Sequence, residues 1–457
     1  MMFSKSVVNF VKELSFEKLP SDVVKQAKYC MLDWLGAVFG AFREVPASIL
    51  REFVVDIGGC EQATLLPFGI RTSCLNAALV NGSLAHMIEY DDIFKEGIYH
   101  PGAPVIAAAL AVAEYAKASG KKLIEGIVAG YEVSTRLAQA MNPEHYRYWH
   151  TTGTVGAIGA ASAASKVLSL SEREIKWALG IAGTMAAGLQ QTLLENAWGK
   201  PLHAGKAAFN GVMAALLAKR GFVGAEALLE GEKGFIRAMA GDEKVSKLGE
   251  LFGHLGRDFN ILKTTFKYYP SCGHTHSAID AALELVRRHG INHTMVEEIE
   301  ISTYSVAVDV AGREKPMTSY EAKFSIAYCV AAAIRFGRVS LAQFEPCCLA
   351  DDGLRRLLSV TRVVRDLDAD KEFPRKRRSK VSLKLRNGSI VSTTSDYRRG
   401  DPEKPLTEEQ MREKFFSLVT LCVLETKAND LWNRVQSIDM EDNMSLFFSS
   451  LGFIKDI

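Results

Sequence analysis

Apolar residues recur every three or four positions over most of this 457-residue chain, the repeat that gathers them on one face of an α-helix. Residues 1–40 read as two helices. Leu19-Pro20-Ser21-Asp22 separates them, and VVKQAKYCMLDWLGAV carries the second. Residues 46–58 predict another helix. Gly58-Gly59 and Thr64–Arg71 form a connection with room for a short strand. Helices are then predicted over Thr72–Tyr90, Pro101–Ala118 and Leu123–Met141. In Gly153–Ala164 (GTVGAIGAASAA) the small residues suit close helix packing. Gly153, Gly156 and Gly159 do not match GxGxxG and follow no strand, so a nucleotide loop is set aside. Ser171-Glu172-Arg173-Glu174 is a capping box that opens a further helix, and Pro201–Arg220 is helical again.

The pattern changes after about residue 260. Val296–Ser302 alternates as a strand does, and Glu321–Phe336 is helical. Val381–Arg386 and Ser389–Thr394 alternate on either side of Asn387-Gly388, a hairpin signal. Thr407-Glu408-Glu409-Gln410 is a second capping box, and residues 407–426 return to helix. The predicted fold class is mainly α: a large all-helical part, a smaller α+β part over roughly 266–397, and a helical C-terminus.

Composition changes this picture little. Hydrophobic residues make up 48% and charged residues 24%, as in ordinary globular proteins, and the length suits two to three domains. A formal net charge of +2 gives no global argument for nucleic acid or membrane binding, so any anion selectivity is local. The longest apolar stretches, such as Val105–Val112, are too short to span a bilayer. The N-terminal residues show no signal-peptide core, and the expected location is cytoplasmic. Cys30, Cys60, Cys74, Cys272, Cys329, Cys347, Cys348 and Cys422 show no paired spacing beyond the adjacent Cys347-Cys348, and read as reduced, mostly buried thiols. The basic run Arg375–Lys380 leads into a strand without interleaved aromatics and reads as a solvated edge.

Candidate chemistry centres on Asn81–Ala113. A helix ending near Tyr90 would carry Glu89, Asp91 and Asp92 at its C-terminal end, where the helix dipole disfavours carboxylates. The next helix would begin beside His100, at Pro101, where dipole and free N–H groups favour an anion. Three further helix starts repeat the theme. Lys200 precedes the helix at Pro201, with His203 one turn on. His150 precedes Thr151-Thr152-Gly153, either threonine being a possible cap. Lys267 precedes KYYPSCGHTH and the helix expected from His274. Should these starts converge, they form a pocket for a di- or tricarboxylate. Cys272, His274 and His276 have no common zinc spacing.

The motifs NG-x-x-AH (Asn81–His86), Glu89-Tyr90-Asp91-Asp92 and His100-Pro101-Gly102 resemble those of the MmgE/PrpD family, as do HTTGTVG, KPLHAGKAA, KYYPSCGHTH, EAKFSIAY and GDPEKPLT. The resemblance spans nearly the whole chain. It implies that 1–265 with 398–457 form an all-helical domain and 266–397 an α+β lid. It further implies that His100, His150, Lys200 and Lys267 line an active site, and that the protein is a homodimer. The chain carries Glu89 where the family pattern has aspartate, and Ile93 where dehydratase and decarboxylase members carry threonine. Tyr304 lies near a strand tyrosine of the decarboxylase members without aligning to it.

The expected function is that of a cofactor-free lyase on a small polycarboxylate, eliminating water as 2-methylcitrate dehydratases do. Lys200, Lys267, His203 and His274 would bind the substrate. Asp91, His100 and His150 would serve as acid and base, and Glu89 would orient a histidine or act as an alternative base. Epimerisation, as of iminodisuccinate, and cis-aconitate-type decarboxylation use similar proton chemistry and are the alternatives within the family. From other classes come a metal-dependent hydrolase using His86, Asp91, Asp92 and His100, disfavoured by the lack of an adjacent His-Asp pair, and a non-catalytic carboxylate binder. No metal, nucleic acid or membrane partner is expected.

Overall fold

The computed structural model describes residues 3–195, 197–449 and 451. Helix accounts for 60% and strand for 9%, so the protein is mainly α with a smaller α+β part. Two compact units are present, residues 1–265 with 407–457, and residues 266–406.

The helical unit includes α1 (Ser21–Gly40), a hairpin of β1 (Ala63–Leu65) and β2 (Ile70–Thr72), then α2 (Cys74–Ala85), α3 (Gly102–Ala116), α4 (Gly120–Met141), α5 (Thr151–Val167), α6 (Glu172–Thr184) and α7 (Gly199–Lys219). Every residue of α5 is buried, as is α3 from Gly102 to Glu114. Helices without a polar stripe belong in the interior. There α5 packs against α3, α4 and α7, and α7 packs against α2. Small residues permit the approach: a Cβ on Gly156 would lie 2.7 Å from Cγ of Pro104. The capping box at Ser171 forms with Glu174 as its sequence predicts.

The smaller unit holds a four-stranded sheet, order β4-β3-β5-β6, made of β3 (Val296–Thr303), β4 (Thr361–Arg365), β5 (Ser379–Leu385) and β6 (Ile390–Ser395). β3 runs parallel to β4 and antiparallel to β5, with Ile301 opposite Val381, and β5 and β6 form the hairpin expected around Asn387-Gly388. Ile299, Ile301, Val381 and Leu383 are buried in one core with Ile279, Ala282 and Leu285 of α8 (His276–His289) and Val330 and Ala333 of α9 (Ile326–Phe336). After this unit the chain continues in α10 (Glu408–Val419), opened by the Thr407–Gln410 capping box, and α11 (Glu425–Gln436).

Several boundaries differ from expectation for local reasons. The helix predicted over Thr72–Tyr90 starts after Ser73, whose side chain accepts the Asn76 N–H, and ends at Ala85. It cannot run on through Glu89, whose φ is 59°, a left-handed conformation unfavourable for a side chain with a Cβ. The helix expected over Glu321–Phe336 is interrupted, and Ser325 caps its second part by accepting the Tyr328 N–H. Residues 398–406 lie in the smaller unit. There the Phe266 N–H donates to the Gly400 carbonyl at 3.0 Å and the Arg399 N–H to Asp280 Oδ2 at 2.7 Å. In the basic run, Arg375, Lys376 and Arg378 pair with Glu372 or Asp396. Arg377 departs from a solvated edge: its Nε is buried, without a hydrogen-bond partner among the described residues. Cys30, Cys74, Cys272, Cys329 and Cys422 are buried free thiols. No helix among the described residues is long and apolar enough to cross a membrane.

Candidate active site

In the helical unit the end of α2 and the starts of α3, α5 and α7 supply one buried polar cluster. His86 is the C-cap residue of α2. The chain then turns through Glu89, and Asp91 and Asp92 follow in the loop. The carboxylates are therefore not on a helix, and the dipole argument against them does not apply.

Asp91 is fully enclosed and is held by two imidazoles. Its Oδ2 lies 2.7 Å from Nδ1 of His86 and 3.2 Å from Nδ1 of His100. Its Oδ1 is buried with no hydrogen-bond partner among the described residues. Burial alone would raise this carboxyl, but the His86 and His100 rings outweigh it and hold Asp91 well below the usual carboxylate range. The ionised form is favoured.

The cluster continues away from Asp91. Nε2 of His86 lies 3.4 Å from Nε2 of His150, with the rings stacked at 5.2 Å between centroids. Nδ1 of His150 lies 3.3 Å from Nδ1 of His203. His86 and His150 are buried and His203 is half-buried. Burial, reinforced by the neighbouring basic groups, pushes His150 far below its ordinary value, and burial lowers His203 to about 4. At neutral pH both rings are uncharged, each with one N–H and one free lone pair. His150 is itself the N-cap residue of α5, while Thr151 and Thr152 lie inside the helix.

Asp92 has a different task. It accepts the Gly102 N–H at 3.0 Å and the Tyr131 hydroxyl at 2.7 Å, fixing the start of α3. Burial and the nearby Asp33 push its carboxyl well above the usual range. A Cβ on Gly102 would lie 2.8 Å from both Asp92 Oδ1 and the Tyr131 hydroxyl oxygen, so glycine alone fits after His100-Pro101. Pro101 is the N-cap residue and α3 begins at Gly102, one residue later than predicted. Ile93 acts through its backbone, exchanging two 2.8 Å hydrogen bonds with Thr265.

Lys200 lies inside the first turn of α7, not before it. The anion that offsets the dipole there is Glu89, with which Lys200 forms a buried ion pair. Thus His100, His150, His203, Lys200, Glu89 and Asp91 all belong to one unit. Lys267 and His274 belong to the other. Lys267 is buried but stands in a loop rather than at a helix start, since α8 begins only at His276. Proline and the turn residues of KYYPSCGHTH delay the helix.

In the smaller unit Nδ1 of His274 lies 2.6 Å from the hydroxyl of Tyr304, the residue that follows β3. Burial, then Arg377 and Arg398, hold His274 well below its ordinary value. Arg398 is buried and grips Asp401, with Nη2 2.7 Å from Oδ1. Tyr304 stacks on Phe373 at 4.7 Å between centroids. Arg377, Arg398 and Tyr304 were not predicted as site residues. The signal for Arg377 lay in the basic run, which charge patterning assigns to solvent, and the sequence holds no signal that brings Arg398 to His274. His86 was read only as a possible metal ligand, although its five-residue spacing to Asp91 allows the loop to close a hydrogen bond.

Among the described residues, donor atoms of His86, Asp91 and His100 lie within 4.8 Å of one another, the spacing of a possible metal site. The 2.7 Å from His86 to Asp91 is that of an N–H···O⁻ hydrogen bond. Two ligands about 2.0–2.1 Å from a tetrahedral zinc stand farther apart than this. The trio is therefore read as a carboxylate holding two imidazoles.

With the geometry in place, the comparisons define the class. The MmgE/PrpD N-terminal domain matches residues 5–248 and the MmgE/PrpD C-terminal domain residues 269–439, and the chain belongs to the MmgE/PrpD family. It is 28% identical to the cis-aconitate decarboxylase-like protein oryM of Aspergillus oryzae, over 96% of this chain and 94% of that protein. It is 29% identical to the cis-aconitate decarboxylase of Homo sapiens, over 96% and 92%. The cis-aconitate decarboxylase of Aspergillus terreus is 26% identical, over 95% and 92%. Decarboxylases of this kind are lyases, and the family-level assignment is to an enzyme of that type.

Proposed function

We propose that this protein is a cofactor-independent lyase that cleaves a small polycarboxylate through an enolate-type intermediate, with an unsaturated tricarboxylate of the cis-aconitate kind as the first candidate. The observation that carries this reading is the buried, ionised Asp91 shared by His86 and His100, with neutral His150 beyond it. In such a group a neutral imidazole can accept a proton from carbon next to a carboxylate, and an imidazole held by the Asp91 carboxylate can donate one. Lys200, with Glu89 to hold it, is assigned to a substrate carboxylate, and Lys267 and His274 of the smaller unit are proposed as anion-binding residues. Fixed cations beside a developing enolate stabilise it without reorganisation. In decarboxylation the electron pair of the breaking C–C bond enters the conjugated system as CO2 leaves, and His100 delivers a proton to carbon.

Dehydration stays as the second reading. It uses the same acid–base groups, and the buried Glu89 paired with Lys200 is a second carboxylate in that unit. The test is an assay of purified protein against cis-aconitate and against citrate-like hydroxy acids, following CO2 release and new ultraviolet absorbance. CO2 release with cis-aconitate supports the first reading. An unsaturated product from a hydroxy acid without CO2 supports the second. Absence of both reactions rejects the lyase.

A further inference from the structure

We infer that His86, His150 and His203 form a proton wire that joins Asp91 in the interior to solvent, with His203 as its outer end. The inference rests on the lyase reading for its purpose and on geometry for its existence. His203, expected from the sequence to bind substrate, is here given a different role.

With His86 taken as a neutral ring, hydrogen-bond direction fixes the wire. Ionised Asp91 only accepts, so Nδ1 of His86, 2.7 Å away, carries a proton. In the neutral ring Nε2 of His86 is then an acceptor, facing Nε2 of His150 at 3.4 Å. His150 must carry its proton there, which leaves its Nδ1 as an acceptor. That atom faces Nδ1 of His203 at 3.3 Å, so His203 carries its proton on Nδ1 and presents Nε2 as a lone pair. For a neutral His86, one assignment thus satisfies all three successive contacts. The contacts between rings are long, as catalytic hydrogen bonds often are without ligand. The burial gradient runs the same way, from enclosed His86 and His150 to half-buried His203.

The proton balance closes. A hydronium gives its proton to Nε2 of His203 and becomes water. His203 passes its Nδ1 proton to Nδ1 of His150, His150 its Nε2 proton to Nε2 of His86, and His86 its Nδ1 proton to Asp91. One proton enters and one arrives at enclosed Asp91, which hands it to Nδ1 of His100 at 3.2 Å, and the partly exposed His100 gives its Nε2 proton to the substrate carbon. Ring rotation restores the starting tautomers. Decarboxylation needs such a supply, because each turnover replaces a carboxylate by a proton taken from solvent. Dehydration and epimerisation return the proton they remove and need none. A solvent-linked wire therefore favours the decarboxylase reading.

Two measurements test it. With cis-aconitate as substrate, His203→Gln is expected to lower kcat by about tenfold while KM stays within about twofold. Added imidazole should restore kcat, since a small carrier can reach a half-buried end, and the solvent isotope effect on kcat should rise. A raised KM with unchanged kcat, or a loss of kcat that imidazole does not restore, overturns the wire. Independently of substrate and of any variant's folding, nitrogen-15 shifts of the histidine rings in the wild-type protein read the tautomers. The expected set is His86 Nδ1–H, His150 Nε2–H and His203 Nδ1–H. Any facing pair of nitrogens that both carry or both lack a proton overturns it. If the wild-type protein converts no polycarboxylate, the lyase reading fails and the tautomer measurement alone decides the wire.

Discussion

The two units gather basic residues in opposite ways. The helical unit stacks imidazoles in series on one carboxylate, and burial keeps His150 and His203 neutral. The smaller unit places Arg377, Arg398 and Lys267 near His274, whose value burial and these groups lower, and the arginines keep their charge. A series of neutral rings can move a proton, whereas a set of guanidinium and ammonium groups holds a fixed positive potential. On the proposed function, chemistry falls to the first cluster and anion binding to the second, and the two make separable predictions.

The largest effect is expected at Asp91. Asp91→Asn keeps the shape but removes the charge that orients His86 and His100, and should lower kcat by about a thousandfold with little change in KM. Steady-state kinetics on the substrate found by the assay above measures this. A comparable loss from Arg398→Ala, arising in kcat rather than KM, would erase the distinction between the clusters.

Stability against pH comes next. Burial of His145, whose Nε2 lies 2.7 Å from Thr154 Oγ1, lowers its folded-state value from 6.5 to about 4. The unfolded chain takes up the proton at the ordinary value and the folded chain only near the lowered one. This contribution is therefore complete above pH 6.5 and is lost as pH falls toward 4. The loss is on the order of 3 kcal/mol. Urea titrations at pH 7 and pH 4.5 should show wild type losing more stability than His145→Gln between the two.

A slightly smaller effect is expected at the start of α3. Gly102→Ala drives a methyl group into Asp92 and Tyr131 and should cost about 1–3 kcal/mol, read as a lower urea midpoint, together with loss of activity because His100 shifts. The smallest effect is in the other unit. Tyr304→Phe removes the hydroxyl from His274 and should cost about 1 kcal/mol. It should raise KM while sparing kcat, in line with an anion-holding role.

Much of this was legible in the sequence. Helical spacing, both capping boxes and the Asn387-Gly388 hairpin locate elements that the structure contains, because each is a local signal read within a few residues. The mainly-α class and the family follow from such signals and motifs. Less legible was anything set by tertiary contact. Glu89 takes a left-handed conformation that ends α2 early, which no propensity at glutamate announces. Lys200 sits inside α7 because Glu89 offsets the dipole, a pairing across 111 positions. Lys267 was placed at a helix start by its motif, yet the turn through Pro270 and Gly273 postpones the helix to His276. His86 was the clearest omission, since a lone buried histidine at a helix end is unremarkable until Asp91 and His150 are seen on its two sides.

The central claim is that the Asp91–histidine cluster moves protons to and from carbon. Its most direct test is to run wild type and Asp91→Asn with cis-aconitate in deuterated water and to examine product and recovered substrate by mass spectrometry. The account predicts that the variant forms deuterated product about a thousandfold more slowly than wild type. Formation of deuterated product at an equal rate by the variant would contradict it.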